Sequence, residues 1–250
     1  MRYSKLIISV IIVLIQSGCA SSLDYDRLTD TEYLVFQETF EKGTLKNIKL
    51  ESPNHNSFKI MEDFKDKNNH MLKVLLRQGD YVNNGNRAEF KKDVGEKIDD
   101  EILYKVDFMV DKQYIDSSEW QSIFQLHDKP DFNNGESWET YQNTSLVPPL
   151  MIDYINNELK IKMNSDKIKN EKTTRIEKDV WYTLAVHVKY SYDGYVNVFL
   201  DGKSISSGRN YYSTIYNDSV NYVKIGLYRD NKIESNGVIY FDNFEIYRIE

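Results

Sequence analysis

Residues 193–202 read Asp-Gly-Tyr-Val-Asn-Val-Phe-Leu-Asp-Gly, and this stretch decides the fold class. The run from Tyr195 to Leu200 is rich in β-branched and aromatic residues, which favour a strand. The Asp-Gly dipeptides on both sides are typical of tight hairpin turns. The stretch therefore predicts part of an antiparallel meander.

Runs of the same alternating kind recur along the chain, separated by polar or glycine-containing connections. They cover residues 33–40, 71–76, 102–110, 181–190, 222–228 and 238–247. Alternation places one face of each strand toward a core and the other toward solvent or a ligand. Many short strands with few helical segments predict an all-β sandwich or jelly roll.

The N-terminal segment has the features of an exported lipoprotein. Two basic residues, an apolar run over residues 6–15 and the pair Ser17-Gly18 precede Cys19. The apolar run is shorter than the roughly 20 residues that span a bilayer, so it indicates a secretory signal, and the segment resembles a bacterial lipobox. We expect a signal peptide over 1–18, a lipidated tether over 19–32 and one folded domain over 33–250.

Cys19 is the only cysteine, so the chain cannot form an intramolecular disulfide, and lipidation is its predicted role. Ala20 stands where inner-membrane retention signals carry Asp, which favours the outer membrane, on its periplasmic or its surface side. Secretion without lipidation is the alternative.

The charge of the chain restricts its partners. The net charge is −7, and the signal segment holds basic but no acidic side chains, so the mature chain is more acidic still. Nucleic acid is therefore not a predicted partner. A local group of cations can still bind a polyanion at short range, and the overall charge favours a carboxylated polymer over a heavily sulfated one.

Three short segments place polar residues on strand faces. They are Asn-Arg-Ala-Glu-Phe at 86–90, Gln-Leu-His at 125–127 and Tyr-Val-Lys-Ile-Gly-Leu-Tyr-Arg at 222–229. Together they supply the groups that eliminative cleavage of a uronic acid polymer needs. Arg87 and Gln125 would bind the carboxylate beside C5. His127 would take the C5 proton, and Tyr228 would protonate the leaving oxygen.

These segments resemble the signature blocks of jelly-roll polysaccharide lyases of the heparin lyase I and glucuronan lyase type, with motifs like those of alginate lyases. The resemblance runs from about residue 36 to residue 247. It implies a concanavalin-like sandwich of two antiparallel sheets with a concave groove, which cleaves an acidic polysaccharide by β-elimination without a cofactor. Phe90-Lys91 stands where alginate lyases tend to have Leu-Arg, which argues against alginate.

The resemblance also implies roles for individual residues. His127 and Tyr228 would be the proton-transfer pair, with Tyr228 as acid or as both acid and base. Arg87 and Gln125 would hold the uronate carboxylate. The further residues that we expect to bind the substrate are Asn86, Lys224, Tyr222, Arg229 and Trp138, the last in the long loop over 128–147.

Other interpretations remain open at the level of sequence. A surface lipoprotein that binds a glycan without cleaving it is the main alternative. A glycoside hydrolase needs two carboxylates that flank the bond, and the Glu-x-Asp-x-x-Glu strand of jelly-roll hydrolases is absent from the sequence. Glu38 and Asp242 are candidate ligands of a structural calcium ion, because calcium prefers oxygen donors.

Overall fold

The computed structural model describes residue 25 and residues 32–141, 147–164 and 172–250. In these residues almost all regular structure is β, and the strands form two antiparallel sheets, as the alternating runs predict. We call them the outer sheet and the groove sheet. No helix in the described residues is long and apolar enough to cross a membrane.

The outer sheet contains β1 (Glu32–Glu38), β3 (Phe58–Glu62), β4 (His70–Leu76), β7 (Glu101–Val110), β12 (Trp181–Lys189), β13 (Gly194–Leu200), β14 (Lys203–Ser204), β15 (Asn210–Tyr212) and β17 (Gly237–Ile249). Its order is β14-β13-β12-β7-β17-β4-β3, with β1 beside β17 and β15 beside β13.

The groove sheet contains β2 (Lys49–Glu51), β5 (Tyr81–Val82), β6 (Gly85–Lys92), β8 (Gln121–His127), β9 (Leu150–Ile155), β10 (Glu158–Met163), β11 (Lys172–Arg175) and β16 (Tyr222–Arg229). Its order is β11-β10-β9-β8-β16-β6-β2, with β5 beside β6. The helical segments are α1 (Trp138–Tyr141) and 3₁₀ turns at His55–Ser57 and Phe132–Asn134.

The hairpin after β13 forms as its sequence predicts. Leu200 pairs with Lys203, and Asp201 and Gly202 between them both have positive φ, the conformation of a two-residue type I′ turn. The other Asp-Gly dipeptide forms no two-residue turn. Tyr195 pairs with Lys189, so a longer loop joins β12 to β13.

The hydrophobic core lies between the two sheets. Phe90 on β6 is fully buried, and its ring packs against those of Phe40, Phe241 and Phe244, so it joins the groove sheet to the outer sheet. Along β6 the side chains that alternate with this core face the groove. Packing on one side of β6 thereby fixes the direction of the polar side chains on the other.

The outward face of the outer sheet carries a small apolar cluster of its own. Leu103, Ala185 and Phe199 are buried there, and the ring of Tyr25 lies 5.2 Å from that of Phe199. Tyr25 and Glu32 are the described residues of the predicted tether. Residues 1–18, Cys19 and the rest of the tether lie outside the described residues, so the signal peptide and the lipid anchor stay predictions.

Replacing Phe90 by Ala should lower the free energy of unfolding by about 3–5 kcal/mol, because the change leaves a cavity between the sheets. Urea denaturation measures the loss. Ile115→Ala is the control, since Ile115 is 61% exposed, and should change stability by less than about 0.5 kcal/mol. Equal effects of the two substitutions would contradict the central position of Phe90.

Candidate active site

The three polar segments form adjacent strands of the groove sheet. β16 lies between β6 and β8, and Tyr228 pairs with Arg87, Lys224 with Gln125, and Tyr222 with His127. A bulge between Ile225 and Tyr228 shifts the register with β8 but not with β6. Strand pairing thus brings together the sequence blocks that contain all four predicted catalytic residues.

Gly226 permits this close pairing. Its φ is +145°, and a Cβ atom at this position would collide with the carbonyl oxygen of Ala88 and lie 2.7 Å from Cα of Glu89. A residue with a side chain therefore cannot occupy the position without moving β6 away from β16. The glycine of the third sequence block has a structural role in the site.

A compact group of five charged side chains occupies the groove beside these strands. Glu51 on β2 binds Lys224 and Lys91, each with an N···O distance of 3.0 Å, and Arg87 at 3.3 Å. Glu89 binds Arg87 and Lys224, both at 3.3 Å. All but Lys91 are buried, and we call these five residues the charge cluster.

The cluster keeps the Glu51 carboxylate ionised. Burial alone would raise the pKa of Glu51, but Lys224, a hydrogen bond from Asn83 and Lys91 together hold that pKa well below its usual range. Gln125 donates through Nε2 to Oε1 of Glu89. Both predicted carboxylate binders, Arg87 and Gln125, therefore contact protein carboxylates.

Hydrogen bonding fixes the tautomer of His127. Its Nδ1 lies 2.7 Å from the carbonyl oxygen of Asp128. Because a carbonyl oxygen only accepts hydrogen bonds, Nδ1 carries the proton, and in the neutral ring Nε2 has a free lone pair. The ring lines the groove, so this nitrogen can accept a proton from a ligand.

The surroundings of His127 also favour its neutral form. Burial and then the Lys224 ammonium lower the pKa of the imidazole, and these effects outweigh the opposite effect of Asp128. At neutral pH the ring is therefore an available base. The same ring stacks on Tyr222, with 5.5 Å between centroids.

Tyr228 lies farther along β16, six residues from Tyr222. The guanidinium carbon of Arg87 sits 3.9 Å from the centre of the Tyr228 ring, and the Trp120 ring contacts the same ring edge-on. Burial raises the pKa of the Tyr228 phenol, and Arg87 opposes that rise. Within the described chain, no hydrogen bond or ring contact joins His127 to Tyr228.

Asn86 and Arg229 do not face the groove. Their alternation places them on the core side of β6 and β16, where Nε of Arg229 donates to Oδ1 of Asn86 at 3.0 Å. Asn86 also donates to the carbonyl oxygens of Arg77 and Asp80. These contacts are structural, and the substrate-binding role predicted for the two residues finds no support in their placement.

Two adjoining cavities form the open part of the groove. The first, of about 590 Å³, is lined by Arg87, His127, Tyr222 and Lys224 among others, and the second, of about 480 Å³, extends past Tyr222. Trp138 on α1, 43% exposed, lines both cavities, as expected for a ring that contacts sugar. Residues 142–146 of the loop that follows α1 lie outside the described part of the chain.

The second cavity is strongly basic. Its lining includes five lysines and one acidic residue, Asp93, although the whole chain has a net charge of −7. Lys46 and Lys49 are exposed there and form no ion pair with any described residue. The groove is thus a local positive region on an acidic protein, which suits an anionic ligand.

The predicted calcium ligands have protein partners. Glu38 accepts hydrogen bonds from the backbone of Phe40 and from Asn47, and Asp242 accepts them from Asn69 and Asn243. Burial raises the pKa of Asp242 to about 6. Among the described residues no group of three His, Cys, Asp or Glu side chains could hold a metal ion. The calcium site at Glu38 and Asp242 stays a prediction.

Three residues of the groove are not predicted from the sequence to belong to the site: Glu51, Asn83 and Lys91. Glu51 lies in a three-residue edge strand without a clear alternating pattern, and Asn83 lies in the hairpin loop before β6. Lys91 did carry a signal, because it follows Arg87 and Glu89 at the same spacing of two and so shares their face.

The chain is similar to a known family in sequence and to solved structures in fold. The family model described as polysaccharide lyase matches residues 40–245, which include the whole charge cluster, His127 and Tyr228. The chain belongs to the polysaccharide lyase family. Among curated proteins none matches this sequence.

Solved structures share the lyase's fold at low sequence identity. An endo-β-1,4-glucuronan lyase from the fungus Trichoderma reesei has 16% identity and a TM-score of 0.64, with 86% of this chain and 95% of that chain covered. The alginate lyase A1-II′ has 15% identity and a TM-score of 0.58, with 85% and 100% covered. A carbohydrate esterase from a Shiga toxin-encoding bacteriophage has 11% identity and a TM-score of 0.56, with 88% and 100% covered. The jelly roll is thus confirmed, and the family match identifies the chain as a polysaccharide lyase.

Gly226→Ala should destabilise the lyase by about 2–5 kcal/mol in urea denaturation, because it adds a steric collision to the strain of positive φ. Gly79→Ala is the matched control. Gly79 also has positive φ, but open space surrounds it, so we expect a loss of about 1–2 kcal/mol. Equal losses would show that backbone strain alone requires glycine at 226.

Proposed function

We propose that this polysaccharide lyase cleaves a carboxylated, uronic acid-containing polymer by β-elimination. His127 Nε2 removes the proton from C5. The electron pair of the C5–H bond then forms a double bond between C4 and C5, and the bond from C4 to the leaving oxygen breaks. Tyr228 gives its proton to the leaving oxygen. Arg87 and Gln125 act at the uronate carboxylate, where negative charge develops as the C5 proton is lost.

The orientation of His127 is the observation that carries this proposal. A base must present an unprotonated atom to its substrate, and the bond from Nδ1 to the Asp128 carbonyl leaves Nε2 unprotonated in a ring that lines the groove. The lowered pKa of the ring keeps that atom unprotonated at neutral pH. A histidine with a purely structural role would not need both properties in a basic, aromatic-lined groove.

Arg87 supports the assignment of Tyr228 as the acid. A phenol that gives up its proton becomes negative, and the guanidinium on the Tyr228 ring stabilises that charge. Tyr222 is less suited to that role. Burial and the nearby carboxylates of Glu51 and Glu89 raise its pKa, so we assign it to orienting His127.

Hydrolysis is less well supported by the same side chains. The charge cluster has two carboxylates, Glu51 and Glu89, and both form ion pairs with buried cations. A hydrolase needs one carboxyl group that stays protonated to act as the acid. The pKa of Glu51 is shifted in the wrong direction for that role.

The direct test is ultraviolet absorbance of an unsaturated uronate during incubation of residues 20–250 with glucuronan, alginate, hyaluronan, chondroitin and heparin in separate reactions. A rise with a carboxylated polymer is the expected result and also identifies the substrate. Binding without any rise would instead support the non-catalytic glycan-binding protein. A new reducing end without absorbance would indicate hydrolysis.

Tyr228→Phe should lower kcat by a factor of about 10²–10⁴, the usual contribution of a proton-transfer group, and His127→Ala should lower it similarly. Tyr222→Phe is the matched control on the same strand. It keeps the ring that stacks on His127, so we expect kcat within about tenfold of the unsubstituted protein. Loss of kcat in Tyr222→Phe with activity retained in Tyr228→Phe would reverse the two assignments.

Lys224→Met should move the acid limb of the kcat/KM profile to higher pH. The Lys224 ammonium helps to lower the pKa of His127, so its removal raises that pKa. Activity depends on the neutral ring and is lost as pH falls through this pKa, so the loss begins at higher pH in the variant. NMR titration of the His127 ring measures the same shift, and an unchanged titration would contradict the argument.

A further inference from the structure

We propose that Glu51 sets the net charge of the charge cluster and thereby selects a polymer with one negative charge per sugar unit over a more densely charged, sulfated polymer. The inference deepens the proposed function and rests on it. Glu51 acts here as a specificity-determining residue, without taking part in proton transfer.

The first support is the position of Glu51 among the cations. Its Oε1 contacts both Lys224 and Arg87, and its Oε2 contacts Lys91, so one carboxylate touches all three cations of the cluster. Glu89 touches two of them. Three cations and two carboxylates give a formal charge of +1 while His127 is neutral. A single substrate carboxylate balances that charge.

The second support is that the Glu51 carboxylate belongs to the ligand-binding surface. It lines the larger cavity together with Arg87 and Lys224, although its strand β2 is a three-residue edge strand paired with β6. An ion pair that only held the edge strand β2 against β6 would not need to line the cavity. This one faces the place where the proposed substrate binds.

The third support is the unused bonding capacity of the cations around Glu51. Nε of Arg87 is buried and has no hydrogen-bond partner among the described residues. Lys91 is the most exposed cation of the cluster, with 22% of its side chain accessible. Lys91 thus offers a ligand a partly exposed ammonium, and removing the Glu51 charge would release that ammonium from its ion pair.

Glu51→Gln raises the formal charge of the cluster to +2 and Lys91→Met lowers it to 0, while the double variant restores +1. All are made together with His127→Asn, which prevents turnover, and the dissociation constants of heparin and glucuronan are measured at pH 7.5. Glu62→Gln is the matched control. It changes the total charge by the same amount as Glu51→Gln, but Glu62 is exposed on β3 of the outer sheet, away from the charge cluster.

We expect Glu51→Gln to raise the affinity for heparin relative to glucuronan about tenfold, and Lys91→Met to lower that ratio. The slope of log affinity against log salt for heparin should steepen by about 0.7–0.9 in Glu51→Gln, as one more cation contacts the polyanion. The double variant should return the ratio to within about threefold of the starting protein. Glu62→Gln should leave it unchanged.

An unchanged ratio in folded Glu51→Gln, or a double variant that fails to restore it, would overturn the inference. If Glu51→Gln does not fold, the Lys91→Met variant is the test. An unchanged ratio of heparin affinity to glucuronan affinity in that variant would also overturn the inference. Failure of the proposed function is a separate result. It would appear as absence of unsaturated product from the unsubstituted protein with every polymer, whereas the ratio is measured by binding.

Discussion

The register of β16 between β6 and β8 is the constraint on which the groove depends. Tyr228, Lys224 and Tyr222 face the groove because Leu227, Ile225 and Val223 are buried in the core. A slip of one residue would exchange the two sets and place charges between the sheets. Core packing therefore enforces the arrangement of the groove, and Gly226 lets the two backbones approach closely enough to keep it.

The charge cluster depends on that register and adds a constraint of its own. Buried ions lose their hydration, and this loss is offset only when opposite charges and hydrogen bonds surround each of them. Glu51 and Glu89 do this for Arg87 and Lys224, because each of these two cations contacts both carboxylates. The site is in this way organised before any substrate arrives, which is what electrostatic stabilisation of a transient charge requires.

The sequence predicted the sheets and part of the groove, for a physical reason. Period-two alternation shows which side chains share a face, and so Arg87 and Glu89 were correctly placed together. It does not show which face meets the core, and Asn86 and Arg229 were assigned to substrate when they bind each other on the core side. It also does not show which sheet a strand joins. His187 has the same alternating surroundings as His127, yet it lies on the outer sheet beside Glu101.

Tyr25 packs on Phe199, on the face of the outer sheet that points away from the groove. At Tyr25 the chain therefore contacts the domain on the side opposite the groove. Tyr25 is absent from the lining of both groove cavities, so its contact with Phe199 does not compete with a ligand for the groove surface.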